Sequence, residues 1–316
     1  MGDELVPGSS PRPRLTFGLP VRNGEDSLPK CLDSILAQDF ADFEVVVCDN
    51  CSTDRTREIL DEYAAKDDRV GVCLNEENVG LVENFNRVFR LARGEYFRWI
   101  GADDWLEPGY AAACVDALDR DPDAIAATTF FGLHRERGGV DFEQFQGEYL
   151  ESPDPARRLS RLLWFFHAGV AIYEPTYATM RREVLARTHL FQIHHHQDWL
   201  LTTEMCLAGR FVHVPECLFH RNWPEVDSSG HYAHLLEMYP ERAKYLAKSP
   251  WLLMRAMFAL VDEAEGLSAT DKRHCRKLIF WWCLGRVGRQ ARSRLRKLRR
   301  SRGITRAAVG AGDATE

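Results

Sequence analysis

The first 125 residues alternate between short apolar runs and segments with helical periodicity. The apolar runs predict strands at residues 15–19, 43–48, 69–74 and 96–100. In the segments between them, apolar residues recur at intervals of three and four, as Leu81, Phe85 and Val88 do. Strands that alternate with helices of about a dozen residues predict an α/β fold with a doubly wound, mostly parallel sheet flanked by helices.

The pattern becomes looser after residue 125. Strands are predicted at residues 124–133, 173–180 and 211–219, and helices at 157–167, 181–188 and 199–208. Two further segments, 239–264 and 272–302, are predicted to be helical and peripheral. Residues 1–13 are rich in Pro, Gly and Ser and predict a flexible lead-in, and residues 304–316 predict a disordered tail.

Charge is distributed unevenly along a chain of otherwise ordinary globular composition. The 316 residues carry a net charge of −6, and 45% of them are hydrophobic. Between Lys272 and Gly312 there are fourteen Lys or Arg and no acid, so the rest of the chain carries 27 basic and 47 acidic residues, or −20. This asymmetry predicts a basic C-terminal segment on an acidic body.

Three features predict a cytoplasmic protein without a membrane-spanning helix. The first 13 residues contain no apolar segment of the kind found in secretory signals, and the longest apolar run, 278–284, is seven residues. The nine cysteines form no disulfide-like spacing pattern, which favours reduced thiols.

Two adjacent carboxylates, Asp103 and Asp104, follow the strand predicted at 96–100. Adjacent acids repel each other, so their presence at a strand end favours a bound cation such as Mg²⁺ or Mn²⁺. An acidic turn that caps the next helix is the alternative. Because ligands bind beyond the carboxyl ends of parallel strands, the segments 20–23, 49–54 and 103–104 are predicted to meet at one edge of the sheet.

Several ordered motifs resemble those of family-2 glycosyltransferases, which have the GT-A fold and use nucleotide-diphosphate sugars. The resemblance is dense from about residue 15 to residue 125. It is carried by Pro20-Val-Arg-Asn23, Leu32-Asp-Ser-Ile-Leu36-Ala-Gln38, the strand up to Val47, Asp49-Asn-Cys-Ser-Thr-Asp54, Asn78-Val-Gly80, Asn86, Ala92-Arg-Gly-Glu-Tyr96 and Asp103-Asp104.

The resemblance implies a donor site on the first half of the chain. Asp49 occupies the position that recognises the base, and a carboxylate there would accept the N3–H of uracil or thymine. Shaping the turn into the next helix is the alternative role for Asp49. The further predicted donor contacts are Pro20, Arg22, Asn23, Asn78, Gly80, Asn86, Asp103 and Arg221.

The resemblance also implies a divalent metal, Mg²⁺ or Mn²⁺, with Asp104 as its ligand and Asp103 in its shell or on the ribose. The chain departs from the family pattern in two places. Gly101 stands where many relatives have a further acid, and Trp223 stands where a closing Arg-x-His motif would place its histidine, although Arg221 is retained.

Asp198, at the predicted start of a helix, matches the family position of the catalytic base. A carboxylate there could take the proton of an acceptor hydroxyl, and a helix-start role favoured by the dipole is compatible with that role. The neighbouring run His194–His196 could suggest zinc, but no Cys or His lies at ligand spacing, so His196 is kept as a reserve base or acceptor contact.

The basic segment 278–306 combines Trp281, Trp282 and Leu284 with many arginines. Binding to an anionic membrane surface is slightly favoured over packing on the acidic body and over nucleic-acid binding. It would suit a lipid-linked acceptor.

The sequence therefore predicts an inverting glycosyltransferase that transfers a sugar from a UDP- or dTDP-sugar to a hydroxyl of a glycan or lipid-linked acceptor. Residues 14–125 would form the nucleotide-sugar half, 126–235 the acceptor half and 236–303 a basic helical extension. A scaffold without catalysis is one alternative. A sugar-phosphate nucleotidyltransferase is another, although residues 20–24 lack the Gly-rich basic loop which that class carries after its first strand.

Overall fold

The computed structural model describes residues 12–135, 139–143, 150–168, 173–223, 239 and 249–287. Within these ranges the chain forms a nine-stranded sheet covered by helices. The strands are β1 Leu15–Val21, β2 Phe43–Asp49, β3 Val70–Leu74, β4 Tyr96–Trp99, β5 Trp105–Leu106, β6 Ala124–Arg135, β7 Val140–Glu143, β8 Thr179–Arg181 and β9 Arg210–Trp223. The helices are α1 Leu28–Leu36, α2 Thr56–Lys66, α3 Leu81–Leu91, α4 Tyr110–Arg120, α5 Pro155–Ala168, α6 Tyr173–Thr176, α7 Arg182–Leu185, α8 Gln197–Ala208, α9 Pro250–Glu263 and α10, residues 269–287.

The strand order is β3-β2-β1-β4-β8-β6-β9-β5, with β7 paired to β6. The first four strands in this order are all parallel, and their helices complete the alternation that the sequence predicts. Antiparallel pairing begins at β8, which lies between β4 and β6. The α/β class with flanking helices is therefore confirmed, and the parallel part of the sheet is its first half.

The central strands are buried along their whole length. All seven residues of β2 are buried, because helices cover both faces of a parallel sheet. Helix α1 has a proline in its first turn, where the missing N–H is no loss, and its buried residues are Leu28, Cys31, Leu32 and Ile35. The apolar run and the helical stripe thus have the burial that their periodicities predict.

The predicted strand at 173–180 is wrong in its first part. Residues Tyr173–Thr176 form the short helix α6, and only Thr179–Arg181 form a strand. Pro175 explains the difference, because it lacks a backbone N–H for a sheet ladder and its fixed φ suits the first turn of a helix.

The two C-terminal helices are part of the core, which corrects the prediction that they are peripheral. Helix α10 places Cys275, Ile279 and Cys283 at intervals of four, and all three are fully buried. Helix α9 contributes Leu253 and Met257 to the same apolar cluster, which also contains residues of α5 and α8. Several basic residues of α10, such as Arg273, Arg276 and Lys277, lie on its outer surface.

Candidate active site

The carboxyl ends of β1, β2 and β4 meet at one edge of the sheet, as predicted. Val21 at the end of β1 is the register partner of Asp49 at the end of β2. The backbone N–H of Asn50 donates to the carbonyl of Val21 at 2.8 Å, and that of Ile100 donates to Gly18 at 3.0 Å. The segments that follow these strands therefore begin side by side.

Asp49 is 4% exposed and is the polar group at the centre of the turn after β2. Its Oδ1 accepts from the backbone N–H of Ser52 at 3.2 Å and from the Ser52 hydroxyl. Turn shaping is therefore one role of Asp49. An ionised carboxylate has about four lone-pair sites, so the second oxygen retains capacity for a base N–H.

Asn23 joins the loops after β1 and β2. Its Oδ1 accepts from the backbone N–H of Thr53 at 2.9 Å, and its own N–H donates to Ser52 Oγ at 2.9 Å. Asn23 has a φ of 52°, a left-handed conformation that asparagine tolerates better than most residues. Pro20 is buried in β1, whereas Arg22 is exposed at the same edge.

A network of asparagines holds the loop before α3. The Asn50 amide donates to Asn78 Oδ1 at 2.8 Å and accepts from the Val79 N–H at 2.9 Å. Asn75 donates to Asn50 at 3.0 Å and to Asn84 at 2.9 Å. The sequence had indicated Asn78 as a donor contact and Asn50 as part of the 49–54 motif. Asn75 and Asn84 are single polar residues whose proximity depends on the fold.

Gly80 starts α3 with a φ of 85°, in the left-handed region that favours glycine. A Cβ at this position would lie 2.2 Å from the Tyr239 hydroxyl, which donates to the Val79 carbonyl at 3.2 Å. Because Gly80 has no side chain, the Tyr239 hydroxyl can approach the backbone at the start of α3.

Asn86 contacts the second half of the fold. Its side-chain amide donates to the Phe191 carbonyl at 2.9 Å and accepts from the Phe191 N–H at 3.0 Å. This pair of bonds fixes the segment before α8 against α3. A direct contact of Asn86 with a donor stays a prediction.

The two acids differ sharply in environment: Asp103 is exposed, whereas Asp104 is 1% exposed. Burial raises the pKa of Asp104 to about 7, and the nearby charges of Arg221 and Arg98 act in the opposite direction. The Nε of Arg221 lies 3.5 Å from Asp104 Oδ2. The backbone of Asn222 also acts on Asp104 and lowers its pKa.

The acid pair fits a divalent cation. A Cβ on Gly101 would lie 2.9 Å from Asp103 Oδ1 and 3.0 Å from Asp104 Oδ2, so both carboxylates border the space that this glycine keeps open. Carboxylate oxygens are the ligands that Mg²⁺ and Mn²⁺ prefer. In the described part of the chain no group of three or more His, Cys, Asp or Glu residues could hold a metal ion. A cation at the acid pair would therefore need further ligands, such as water or substrate oxygens.

Asp198 lies in the first turn of α8. Loss of hydration within the protein raises the pKa of Asp198 to about 6, while the Trp199 backbone and the charge of Arg221 lower it. Arg221 therefore acts on both Asp104 and Asp198. The strand β9 brings it there, because β9 pairs with β5 directly after the acid pair, with Trp105 opposite His220.

The histidine run contributes little that would bind a metal. His194 is 7% exposed, burial lowers its pKa to about 4, and its Nδ1 accepts from the His196 N–H at 3.0 Å. The His196 ring stacks on Trp199 with centroids 4.2 Å apart.

The sequence did not indicate a polar cluster beside the acid pair. His220 lies between Glu107 Oε1, 2.8 Å from its Nε2, and His134 Nε2, 3.1 Å from its Nδ1. Trp105 stacks on His220, and the Lys30 ammonium lies over the Trp105 ring. This cluster braces β5 against β9 and so supports the positions of Asp104 and Arg221.

Fold and site together define an α/β domain with paired acids at its strand ends and a further carboxylate at a helix start. The chain belongs to glycosyl transferase family 2, whose family model matches residues 16–188.

Two curated relatives have bacterial sources. Glycosyltransferase GlyA of Streptococcus pneumoniae serotype 4 is 28% identical over 173 residues, which are 55% of this chain and 23% of the relative. Chondroitin synthase of Escherichia coli is 34% identical over 125 residues, 39% of this chain and 18% of the relative. The chain thus spans less than a quarter of either relative.

The fold resembles that of S. aureus TarS 1-349. The crystal structure of TarS in complex with UDP-GlcNAc is 21% identical in sequence, with a TM-score of 0.62 over 83% of this chain and 70% of TarS 1-349. The similarity confirms the predicted GT-A fold.

Proposed function

We propose that this chain is an inverting glycosyltransferase that transfers a sugar from a UDP- or dTDP-sugar to a hydroxyl of a glycan or lipid-linked acceptor. The position of Arg221 carries this proposal. Its guanidinium is 3.5 Å from Asp104, and its charge acts on the pKa of both Asp104 and Asp198. The acid assigned to the donor phosphates and the acid assigned to the acceptor thus share one cation.

Asp198 acts as the general base. With a pKa of about 6 it is mostly ionised at neutral pH and is more basic than an ordinary aspartate. It takes the proton of the acceptor hydroxyl while that oxygen attacks C1 of the sugar. The C1–O bond to the nucleotide diphosphate breaks on the opposite face, so one displacement inverts the configuration and needs no enzyme nucleophile.

Arg221 and the acid pair act on the leaving group. The guanidinium of Arg221 pairs with a diphosphate oxygen as negative charge develops there. A divalent cation held by Asp104 and Asp103 would supply further neutralisation of that charge. With the cation held by Asp104, the guanidinium of Arg221 would be available to the phosphate.

Recognition of the donor base falls to Asp49. The bonds from Ser52 orient its carboxylate at the edge where β1 and β2 end. Neighbours of the same fold have been solved with UDP and with UDP-GlcNAc, which makes uridine donors the first to test.

The test is release of nucleotide diphosphate from a panel of UDP-, dTDP- and GDP-sugars with Mn²⁺ and mixed glycan acceptors. Asp198→Asn should lower kcat by roughly 10²-fold or more and leave UDP binding unchanged. Glu204→Gln is the matched control, because Glu204 is also an acid of α8 whose pKa is raised by burial, but its carboxylate contacts the His189 ring. Turnover that survives Asp198→Asn would contradict the base assignment.

Binding of UDP without turnover of any donor would favour a scaffold, and release of pyrophosphate from a nucleoside triphosphate would favour nucleotidyl transfer.

The outer face of α10 suits the surface of an anionic membrane on the cytoplasmic side. Phe280, Trp281 and Leu284 are 38%, 66% and 39% exposed on that face, and Lys277 is exposed beside them. The sequence from 288 to 302 adds eight Lys or Arg and no acid. Aromatic rings at the bilayer boundary and cations on lipid phosphates would both contribute to binding. None of the helices that the structure describes is long and apolar enough to cross a bilayer.

Flotation with vesicles tests the membrane proposal. The protein should bind vesicles that contain one-third phosphatidylserine, fail to bind pure phosphatidylcholine and dissociate at high salt. The double variant Trp281→Ala, Leu284→Ala should weaken binding. Binding to duplex DNA or RNA in place of vesicles would contradict the proposal.

A further inference from the structure

Helix α10 has a second face that reaches the start of α8. Its buried residues Cys275, Ile279 and Cys283 anchor it in the core. One turn from Cys283, Arg286 places its guanidinium 4.7 Å from the ring centroid of Trp199 and 5.0 Å from that of Trp282. The last described part of the chain thus contacts the residue that directly follows Asp198.

Trp199 is enclosed by groups from two other helices, α5 and α10, and from the loop before α8. It is 8% exposed, and its ring is parallel to that of Phe166, with centroids 4.6 Å apart. The Trp282 ring lies 5.7 Å away at 63°, in an edge-on contact. On the loop side, the His196 ring stacks on Trp199 at 4.2 Å. This packing fixes the indole in one orientation.

The start of α8 depends on that packing because its N-cap is weak. The N-cap residue is His196, whose side chain makes no capping hydrogen bond. A capping side chain usually contributes about 1 kcal/mol and fixes the direction in which a helix begins. Here the neighbouring rings and the Arg286 guanidinium supply the constraint. Asp198 directly precedes Trp199 in the first turn of α8, so the direction of its carboxylate follows that turn.

We propose that Trp282 and Arg286 are positioning residues for the transfer reaction. Through Trp199 they fix the first turn of α8 and hold the Asp198 carboxylate in the direction needed to receive a proton from the acceptor. This proposal rests on the proposed role of Asp198 as the base. Displacement of a reacting group by about 1 Å can lower a rate by roughly 10²-fold, so a small rotation of this turn is sufficient.

The nature of the Arg286 contact determines the choice of variants. A cation over an indole ring is attracted by the ring's negative face, and Arg also stacks through its planar guanidinium. Lys keeps the charge and loses the planar contact, whereas Met keeps the approximate length and loses both. Arg276→Met is the matched control, because Arg276 lies on α10 and pairs with Asp262 of α9, away from Trp199.

Kinetics with a soluble acceptor and no membrane provide the first measurement. Arg286→Met and Trp282→Leu should lower kcat by about 10-fold with the donor KM and UDP affinity unchanged. Arg286→Lys should recover most of kcat, and Arg276→Met should behave as the wild type. An unchanged kcat in both Arg286→Met and Trp282→Leu would overturn the proposal, as would an equal loss in Arg276→Met.

Hydrogen exchange provides a measurement that does not depend on turnover. In Arg286→Met, amides of residues 196–203 should exchange faster than in the wild type, while those of α3 stay protected. Faster exchange throughout the core would mean a general loss of stability and would contradict a positioning role.

The turnover of Asp198→Asn is assayed in parallel. If that variant loses activity and Arg286→Met does not, only the positioning proposal fails; if Asp198→Asn keeps its activity, the proposed function of Asp198 fails.

Discussion

Replacement of Asp104 by asparagine should make the metal-free protein more stable while it abolishes metal-dependent nucleotide binding. Asp104 is almost completely buried, and burial raises its pKa from 3.8 to about 7. A carboxyl whose pKa is higher in the folded state stabilises the fold when protonated, and that stability is lost as the pH rises from about 4 to 7. Asparagine has nearly the shape of the protonated acid and cannot ionise.

The size of the effect follows from the two pKa values. Each pH unit between them corresponds to about 1.4 kcal/mol, so at pH 8 the ionised carboxylate lowers the free energy of unfolding by about 4 kcal/mol. The attraction of Arg221 and Arg98 is already contained in the pKa of about 7. For a chain of this size, about 2 °C per kcal/mol gives a rise in Tm of roughly 8 °C.

The assay is thermal and urea unfolding with a chelator, at pH 5 and at pH 8. The difference in the free energy of unfolding between Asp104→Asn and the wild type should be roughly 1.7 kcal/mol at pH 5 and about 4 kcal/mol at pH 8. Asp103→Asn is the control, because Asp103 is exposed and its replacement should change stability little. Addition of Mn²⁺ and UDP should then stabilise the wild type and leave Asp104→Asn unaffected. Equal stability of the two proteins at pH 8, or a less stable Asp104→Asn, would refute the reasoning.

Three other substitutions test separate parts of the site. Gly101→Ala places a methyl group within 3.0 Å of both acid side chains, so titration calorimetry should show weaker Mn²⁺-dependent UDP binding with little change in Tm. Asn86→Ala removes both bonds to the Phe191 backbone and should lower the free energy of unfolding in urea by about 1–3 kcal/mol. Asp49→Asn keeps an oxygen for the turn but loses a charged acceptor, so UDP affinity should fall by roughly 10-fold or more while stability is retained.

The first half of the fold was predictable because its signals are local. Each strand is a short apolar run, and each ends in a polar segment at the same edge of the sheet, as Val21 and Asp49 show. The positions of Asp49, Asp103 and Asp104 follow from that rule alone. Their roles came from the resemblance, because the residues alone left a turn or a cap as an alternative.

The second half depends on contacts that sequence patterns do not encode. Arg221 reaches Asp104 only because β9 pairs with β5, and the two residues are 117 positions apart. The helix at Tyr173–Thr176 was missed because Pro175 was outweighed by the apolar residues around it. In α10 a signal was present: Cys275, Ile279 and Cys283 recur every four residues, but the dense basic composition favoured a peripheral helix.

The shared position of Arg221 explains how two acids of raised pKa are tolerated. Burial raises the pKa of both Asp104 and Asp198, so each acid makes the ionised fold less stable. The guanidinium of Arg221, on strand β9, lowers both pKa values, and the buried Arg98 also lowers that of Asp104, so the two cations reduce that loss. Strained charge arrangements of this kind persist where a reaction uses them, because an apolar residue at either position would give a more stable core. A binding scaffold would not need an acid of raised pKa at the start of α8. It would also not need the contact of that helix start, through Trp199, with the C-terminal helix α10. The arrangement therefore favours a catalytic site over a binding scaffold.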